Sequence, residues 1–180
     1  MLKIIGIVAA VLVIGVIVVL LLAAQKPDTF QVKRSATIKA PPERIYPLIA
    51  DFHRWREWSP YETKDPNMKR TYGAVASGRG ATYGWDGDKN IGAGSMEITQ
   101  ADAPGKVALK LDFTRPFEAH NTVDFTLVPQ GDATVVTWDM RGPTPFFAKI
   151  FHVFLNMDKM VGGDFEAGLA KLKSVAETKP

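Results

Sequence analysis

The stretch Asp86-Gly87-Asp88-Lys89-Asn90, with Glu97 at the twelfth position counted from Asp86, carries the side chains with which a calcium loop binds at positions one, three, five and twelve. Position six of such a loop turns sharply and takes glycine; here it is Ile91. The flanks, Tyr83-Gly84-Trp85 and Met96-Glu97-Ile98, alternate like strands, whereas a calcium loop joins two helices. The run therefore reads as a polar hairpin tip, with Gly92 and Gly94 easing the return strand, and no metal site is expected. Gly78-x-Gly80 and Gly92-x-Gly94 do not lie between a strand and a helix, and no Lys-Ser/Thr follows, so they make no phosphate cradle. His53, His120 and His152 lie far apart without a close-spaced partner ligand and suit surface or helix-end positions. Ser59 and Ser95 stand in no nucleophile motif. Asp112, Asp124 and Asp139 alternate with large apolar residues, which places them on the wet side of a sheet as solvated strand residues.

A second set of residues points to binding rather than to bond-making. Trp58, Tyr83, Trp85, Phe113, Phe125 and Trp138 share inward positions with the flexible Met96, Met140 and Met157. Phe165 faces them from a helix, and Asn121 is the polar exception among the inward positions. Aromatics and methionines along one helix have the composition of an adaptable apolar pocket, although an ordinary core draws on the same residue types.

The elements that must position these residues follow from periodicity. Phe30–Ile38 alternates as a strand, with Phe30, Val32 and Arg34 on one face. Ala40-Pro41-Pro42-Glu43 leads into a helix carrying Ile45, Leu48 and Ile49, and a short turn then holds Trp55 and Trp58 before Ser59-Pro60. From Met68 to Met140 the period is two. Val107, Leu109, Leu111 and Phe113 mark one strand, Val123, Phe125 and Leu127 another, and Val136, Trp138 and Met140 a third. Asp102-Ala103-Pro104-Gly105 and Gln130-Gly131-Asp132 are the hairpin turns. After Gly142-Pro143 comes the aromatic run Phe146–Phe151. Met157, Met160, Val161, Phe165, Leu169, Leu172 and Ala176 then form one helical stripe, which Gly162-Gly163 should kink. One long amphipathic helix buries its stripe on the apolar face of a curved antiparallel sheet.

Ahead of all this, Ile4–Ala24 contains no charged, polar or proline residue. At the α-helical rise it spans about 31 Å, the thickness of a bilayer's hydrocarbon. It is longer than the apolar region of a signal peptide, and Leu22-Ala23-Ala24 puts a bulky leucine where a cleavage site wants a small residue. The expected organisation is a transmembrane anchor over residues 1–24, a linker over 25–29 and one domain over 30–177. Lys26, Lys33, Arg34 and Lys39 follow the span while only Lys3 precedes it, favouring a single-pass protein of the cell membrane with a cytoplasmic domain. With Lys3 set apart, the remaining lysines and arginines of a total of 22 nearly balance 19 acidic residues. No basic, aromatic-interleaved cluster occurs, so no nucleic-acid partner is expected. Zero cysteines excludes disulfides and thiolate chemistry.

Several local strings add a resemblance. They are Val32–Glu43, Asp51-Phe52-His53-Arg54-Trp55-Arg56-Glu57-Trp58-Ser59-Pro60, Phe125-Thr126-Leu127 with Thr134–Trp138, and Asp164-Phe165-Glu166-Ala167-Gly168-Leu169. With the element order they resemble the START/birch-allergen-like (SRPBCC, polyketide cyclase/dehydrase-like) superfamily over about residues 30–177. The resemblance implies an α+β helix-grip fold, a seven-stranded curved antiparallel sheet wrapped around a long C-terminal helix, often with an apolar cavity between them for lipids, sterols or aromatic metabolites. None of the strings is catalytic. The expected function is a membrane-anchored module for a hydrophobic small molecule, with no cofactor. A cyclase/dehydrase-like enzyme and a ligand-free interaction domain are the alternatives. The oligomeric state is not encoded in any of these features.

Overall fold

A computed structural model describes residues 1–178. Helix α1 (Leu2–Ala24) is followed by strand β1 (Thr29–Ile38), helix α2 (Pro42–Ala50), a 3-10 turn (Phe52–Glu57) and the short helix α3 (Tyr61–Lys64). Six strands come next: β2 (Lys69–Tyr72), β3 (Thr82–Asp86), β4 (Ala93–Asp102), β5 (Lys106–Arg115), β6 (Ala119–Gln130) and β7 (Ala133–Pro143). Helices α4 (Phe146–Phe154) and α5 (Met157–Glu177) complete the chain. The strands form one antiparallel sheet in the order β1-β7-β6-β5-β4-β3-β2, so every neighbour but the β1–β7 pair is also a neighbour in sequence. This is the expected α+β helix-grip architecture.

The period-two pattern places whole rows of side chains on the concave face. Ile98 pairs with Leu109, Leu109 with Val123, Val123 with Met140 and Met140 with Val32, giving one continuous apolar row across five strands. Tyr83, Met96, Leu111 and Asn121 form the next row toward the start of β1. Helix α5 runs alongside β1 in the same direction. Its Asp158 carboxylate binds Arg34 at 2.9 Å near its start, and Glu177 near its end accepts the Lys39 backbone N–H at 2.6 Å. Phe165, Leu169, Leu172 and Ala176 are buried against the sheet.

Four expectations change here. Helix α5 is continuous through Gly162-Gly163. The glycine serves close approach instead of a kink, because a Cβ on Gly162 would overlap the Arg34 guanidinium. Gly168 has the same role further along, where a Cβ would lie 2.9 Å from both Trp138 and Pro60. Met160 leaves the buried stripe and is 55 % exposed, although the first turn of α5 still lies over β1, where Asp158 meets Arg34. Asp139 does lie on the outer face, but it is only 7 % exposed. Gln31 from β1 donates to both its carboxylate oxygens (2.9 and 2.8 Å), and Arg141 lies at 3.2 Å. The fourth change is at the linker, where β1 begins one residue early at Thr29.

Candidate ligand site at the open end of the sheet

Strand register defines two ends of the concave face. The ends of β7 and β5 and the starts of β1, β4 and β6 lie together near the end of α1, where Thr29 pairs with Pro143 and Ala93 with Arg115. This is the proximal end; the β6–β7 hairpin at Gly131 marks the distal one.

The distal half is filled by rings. Trp138 stacks on Phe165 with centroids 4.0 Å apart and planes 9° from parallel. Phe125 lies 5.0 Å behind Trp138, and Trp58 meets both edge-on at 6.0 and 5.6 Å. Trp55 and Trp58 are fixed from the α2 side, their indole N–H groups donating to the carbonyls of Ile49 (2.9 Å) and Leu48 (2.8 Å). Of the candidate pocket residues, Trp58, Phe125, Trp138 and Phe165 thus form a close-packed wall in which every ring meets another.

Tyr83 is engaged elsewhere. Its hydroxyl donates to Glu62 at 2.8 Å, and the other Glu62 oxygen accepts from Arg70 at 2.7 Å. Arg70 also donates to the Met68 carbonyl at 2.8 Å. Burial first, and the adjacent carboxylate second, push the Tyr83 phenol well above its ordinary pKa, so it stays a hydroxyl and a donor. Glu62 and Arg70 escape sequence reading because one sits in a four-residue helix and the other on a short edge strand.

Toward the proximal end the same strands become less covered. In β5, Val107 and Leu109 are fully buried, whereas Leu111 and Phe113 are half-exposed although they point the same way. Trp85 meets Phe113 edge-on at 5.4 Å and is likewise half-exposed, as are Phe30, Met157 and Val161. Met96 and Met140 are buried beside them. Asn121 is buried with its carbonyl Oδ1 unpaired, seated over Gly142 where a Cβ would overlap it. The indole N–H of Trp138 is also buried and unpaired. A buried polar atom without a partner costs about 1–3 kcal/mol, so such atoms mark places where a further polar group fits. By strand register Trp85, Met96, Phe113, Asn121 and Met140 therefore lie toward this end, Trp85 still linked to the aromatic wall through Tyr83, while Met157 sits at the α4–α5 junction. Leu111, Phe30 and Val161 join them; the first belongs to a strand pattern that was already legible.

Two open pockets lie away from this end of the sheet. One, of about 380 Å³, is lined by Lys26, His152–Asn156 and Met157 at the α4–α5 junction. The other, of about 200 Å³, lies distally between Arg44, Leu48, Arg54 and the end of α5. Burial first, and Lys26 second, hold the His152 imidazole below its ordinary pKa.

The oxygen-rich hairpin is internally committed. Asp86 is paired with Arg115, and Asp88 accepts from the Asn90 backbone N–H (2.8 Å) and its side-chain amide (2.7 Å). No cluster of three or more metal-ligating side chains occurs among the described residues. Asp112 and Asp124 are half-exposed on the outer face. Lys110 first, then His120, hold the Asp112 carboxyl below the usual carboxylate range.

Residues 29–177 match the family described as polyketide cyclase / dehydrase and lipid transport. The chain belongs to that family. No curated protein matches this polyketide cyclase/dehydrase and lipid transport family member in sequence. Among solved structures, a protein from Chromobacterium violaceum is 13% identical, with TM-score 0.60, over 86% of this chain and 100% of its own. The major latex-like protein 151 of Panax ginseng is 12% identical, with TM-score 0.58, over 84% and 100%. The di-domain ARO/CYC protein BexL is 12% identical, with TM-score 0.61, over 88% of this chain and 53% of BexL. At these identities the likeness is one of fold.

Proposed function

We propose that this chain is a single-pass membrane protein whose domain holds a hydrophobic small molecule, lipid or aromatic, at the proximal end of the sheet–helix interior. The observation that carries the reading is the loss of cover along the concave face. Apolar side chains that turn inward (Leu111, Phe113, Trp85) remain half-exposed beside the adaptable Met96 and Met140, and the unpaired Asn121 carbonyl offers one polar contact. Family membership supports it, because the family's description includes lipid transport. The anchor rests on Lys3–Ala24, which has a mean hydropathy of 3.4 and is exposed along nearly all its length, with Ala23 buried near its end. The excess of Lys and Arg after the span supports a cytoplasmic domain.

The enzyme reading has less to stand on. The buried cluster of Glu62, Arg70 and Tyr83 is satisfied within itself. A ligand-free interaction domain is favoured by one observation, the ring-filled distal half.

A photoactivatable diazirine fatty acid offered to the full chain in detergent separates these readings. Saturable adducts on the peptides carrying Met96, Leu111 and Met140 are expected, and Met140→Trp should abolish them. Met140→Trp should lower stability only slightly if the added ring enters open space, whereas overpacking a filled core costs about 1–3 kcal/mol or more. Adducts confined to residues 4–24 in both proteins would sink the binding reading and leave the interaction domain.

A further inference from the structure

Helix α4 is built inside out. Its lysine, Lys149, is 7 % exposed and pairs with Asp28 at 2.6 Å, while its phenylalanines point away from the domain. Phe146, Phe147, Phe151 and Phe154 are 42–71 % exposed. Phe117, from the β5–β6 hairpin, is 61 % exposed and joins them, its ring 5.8 Å from Phe147 and 6.2 Å from Phe151. These five are all the exposed phenylalanines among the described residues. A globular surface seldom gathers large aromatics in one patch unless something covers them.

What covers them follows from the position of α1. Helix α4 packs against α1. Only residues 25–28 separate α1 from β1, a reach of at most about 14 Å at 3.3–3.6 Å per residue. Asp28 is further tied to the α4 side, accepting the Thr144 N–H at its backbone carbonyl (2.7 Å) and Lys149 at its carboxylate. If α1 crosses a bilayer, the phenylalanine face has nowhere to lie but at that bilayer's surface. Large apolar rings on an uncharged helix face suit the boundary between headgroups and acyl chains. We infer that the face made by α4 and Phe117 docks into the headgroup–acyl boundary of the same bilayer that α1 spans, turning the proximal end of the domain toward the lipid. The inference rests on the anchor reading and extends it. The span and its short linker hold the domain close to the bilayer, and this face fixes which end meets the lipid.

The chain contains no cysteine, so single labels can be placed without background. Full-length protein carrying a nitrobenzoxadiazole label at Gly15→Cys, Phe117→Cys, Phe147→Cys or Val128→Cys would be reconstituted in phosphatidylcholine vesicles with shallow or deep nitroxide lipids. Gly15 lies mid-way along α1 with open space around it, and Val128 is an exposed apolar residue near the distal hairpin. Labels at 117 and 147 are expected to shift to the blue and lose about twofold in emission to the shallow nitroxide, as groups buried about 5–10 Å deep do. The label at 15 should respond to the deep nitroxide and the label at 128 to neither. A deep label at 15 with aqueous labels at 117 and 147 overturns the docking and leaves the anchor standing. An aqueous label at 15 removes the anchor and the docking together. Labels at 117 and 147 that shift to the blue without nitroxide quenching mean that a second copy of the chain covers the face, which also overturns the inference.

Discussion

Phe165→Ala is expected to lower the unfolding free energy by about 3–5 kcal/mol, a large share of the roughly 5–15 kcal/mol that holds a domain together. Phe165 is 1 % exposed and lies flat against Trp138, whose other side is closed by Phe125 and Trp58. Truncation removes the ring's transfer free energy and leaves a hole beside the Trp138 indole. Trp138 is packed from behind by Phe125 and by Trp58, whose N–H is held on the Leu48 carbonyl, so it can fill the hole only in part. Asp124→Ala on the outer face is the control. Its pairs with Lys106 (3.5 Å) and Arg141 (3.0 Å) are partly solvated surface interactions, and its loss should cost less than about 1 kcal/mol. Urea denaturation of the two variants in the same detergent would show the difference as a shift of midpoint at constant slope.

Glu62→Ala should be nearly as damaging, for a different reason. The Glu62 and Arg70 side chains are only 7% and 14% exposed, and removing the carboxylate strands both the guanidinium and the Tyr83 hydroxyl. Breaking a buried pair by deleting one partner costs about 3–5 kcal/mol. The lower end applies here, since Arg70 keeps its bond to the Met68 carbonyl. The triple replacement Glu62→Met, Arg70→Met and Tyr83→Phe should recover most of the loss, because it removes every member of the cluster and a buried ion pair is often matched by apolar side chains of similar volume. Non-recovery in the same urea titration would mean that the pair does more than satisfy itself, and would reopen the enzyme reading.

The sheet was legible because period two survives tertiary context. Val107, Leu109, Leu111 and Phe113 face inward as their alternation requires, and the hairpin at Gln130-Gly131-Asp132 falls where its turn residues do. What alternation could not supply was depth. It places Asp139 on the outer face, but the cover over that face comes from Gln31, 108 residues away in sequence. It also places Phe113 inward without revealing that the side chain stays partly exposed. Helical periodicity likewise puts Met160 on the buried stripe, where the folded chain leaves it 55 % exposed. The pair Gly162-Gly163 reads locally as a weak point, and only the opposed Arg34 shows that the small residue lets two elements close. The Glu62–Arg70–Tyr83 cluster joins three short elements across loops, and no sequence period links them.

The candidate site shows the same division. Its residue types could be picked from inward positions, and eleven were. Their separation into a ring wall around Trp138 and Phe165 and an open end around Met96, Leu111, Asn121 and Met140 depends on how far α2, the 3-10 turn and α5 extend over the sheet. That extent is a property of the assembled layers rather than of any one segment.

Native mass spectrometry of the full chain, released from detergent micelles under gentle activation, bears most directly on the ligand claim. The account predicts one hydrophobic molecule retained per chain, with Met140→Trp carrying none while unfolding only modestly earlier. A bare chain mass for the wild type, together with a Met140→Trp variant that no longer folds, would contradict it.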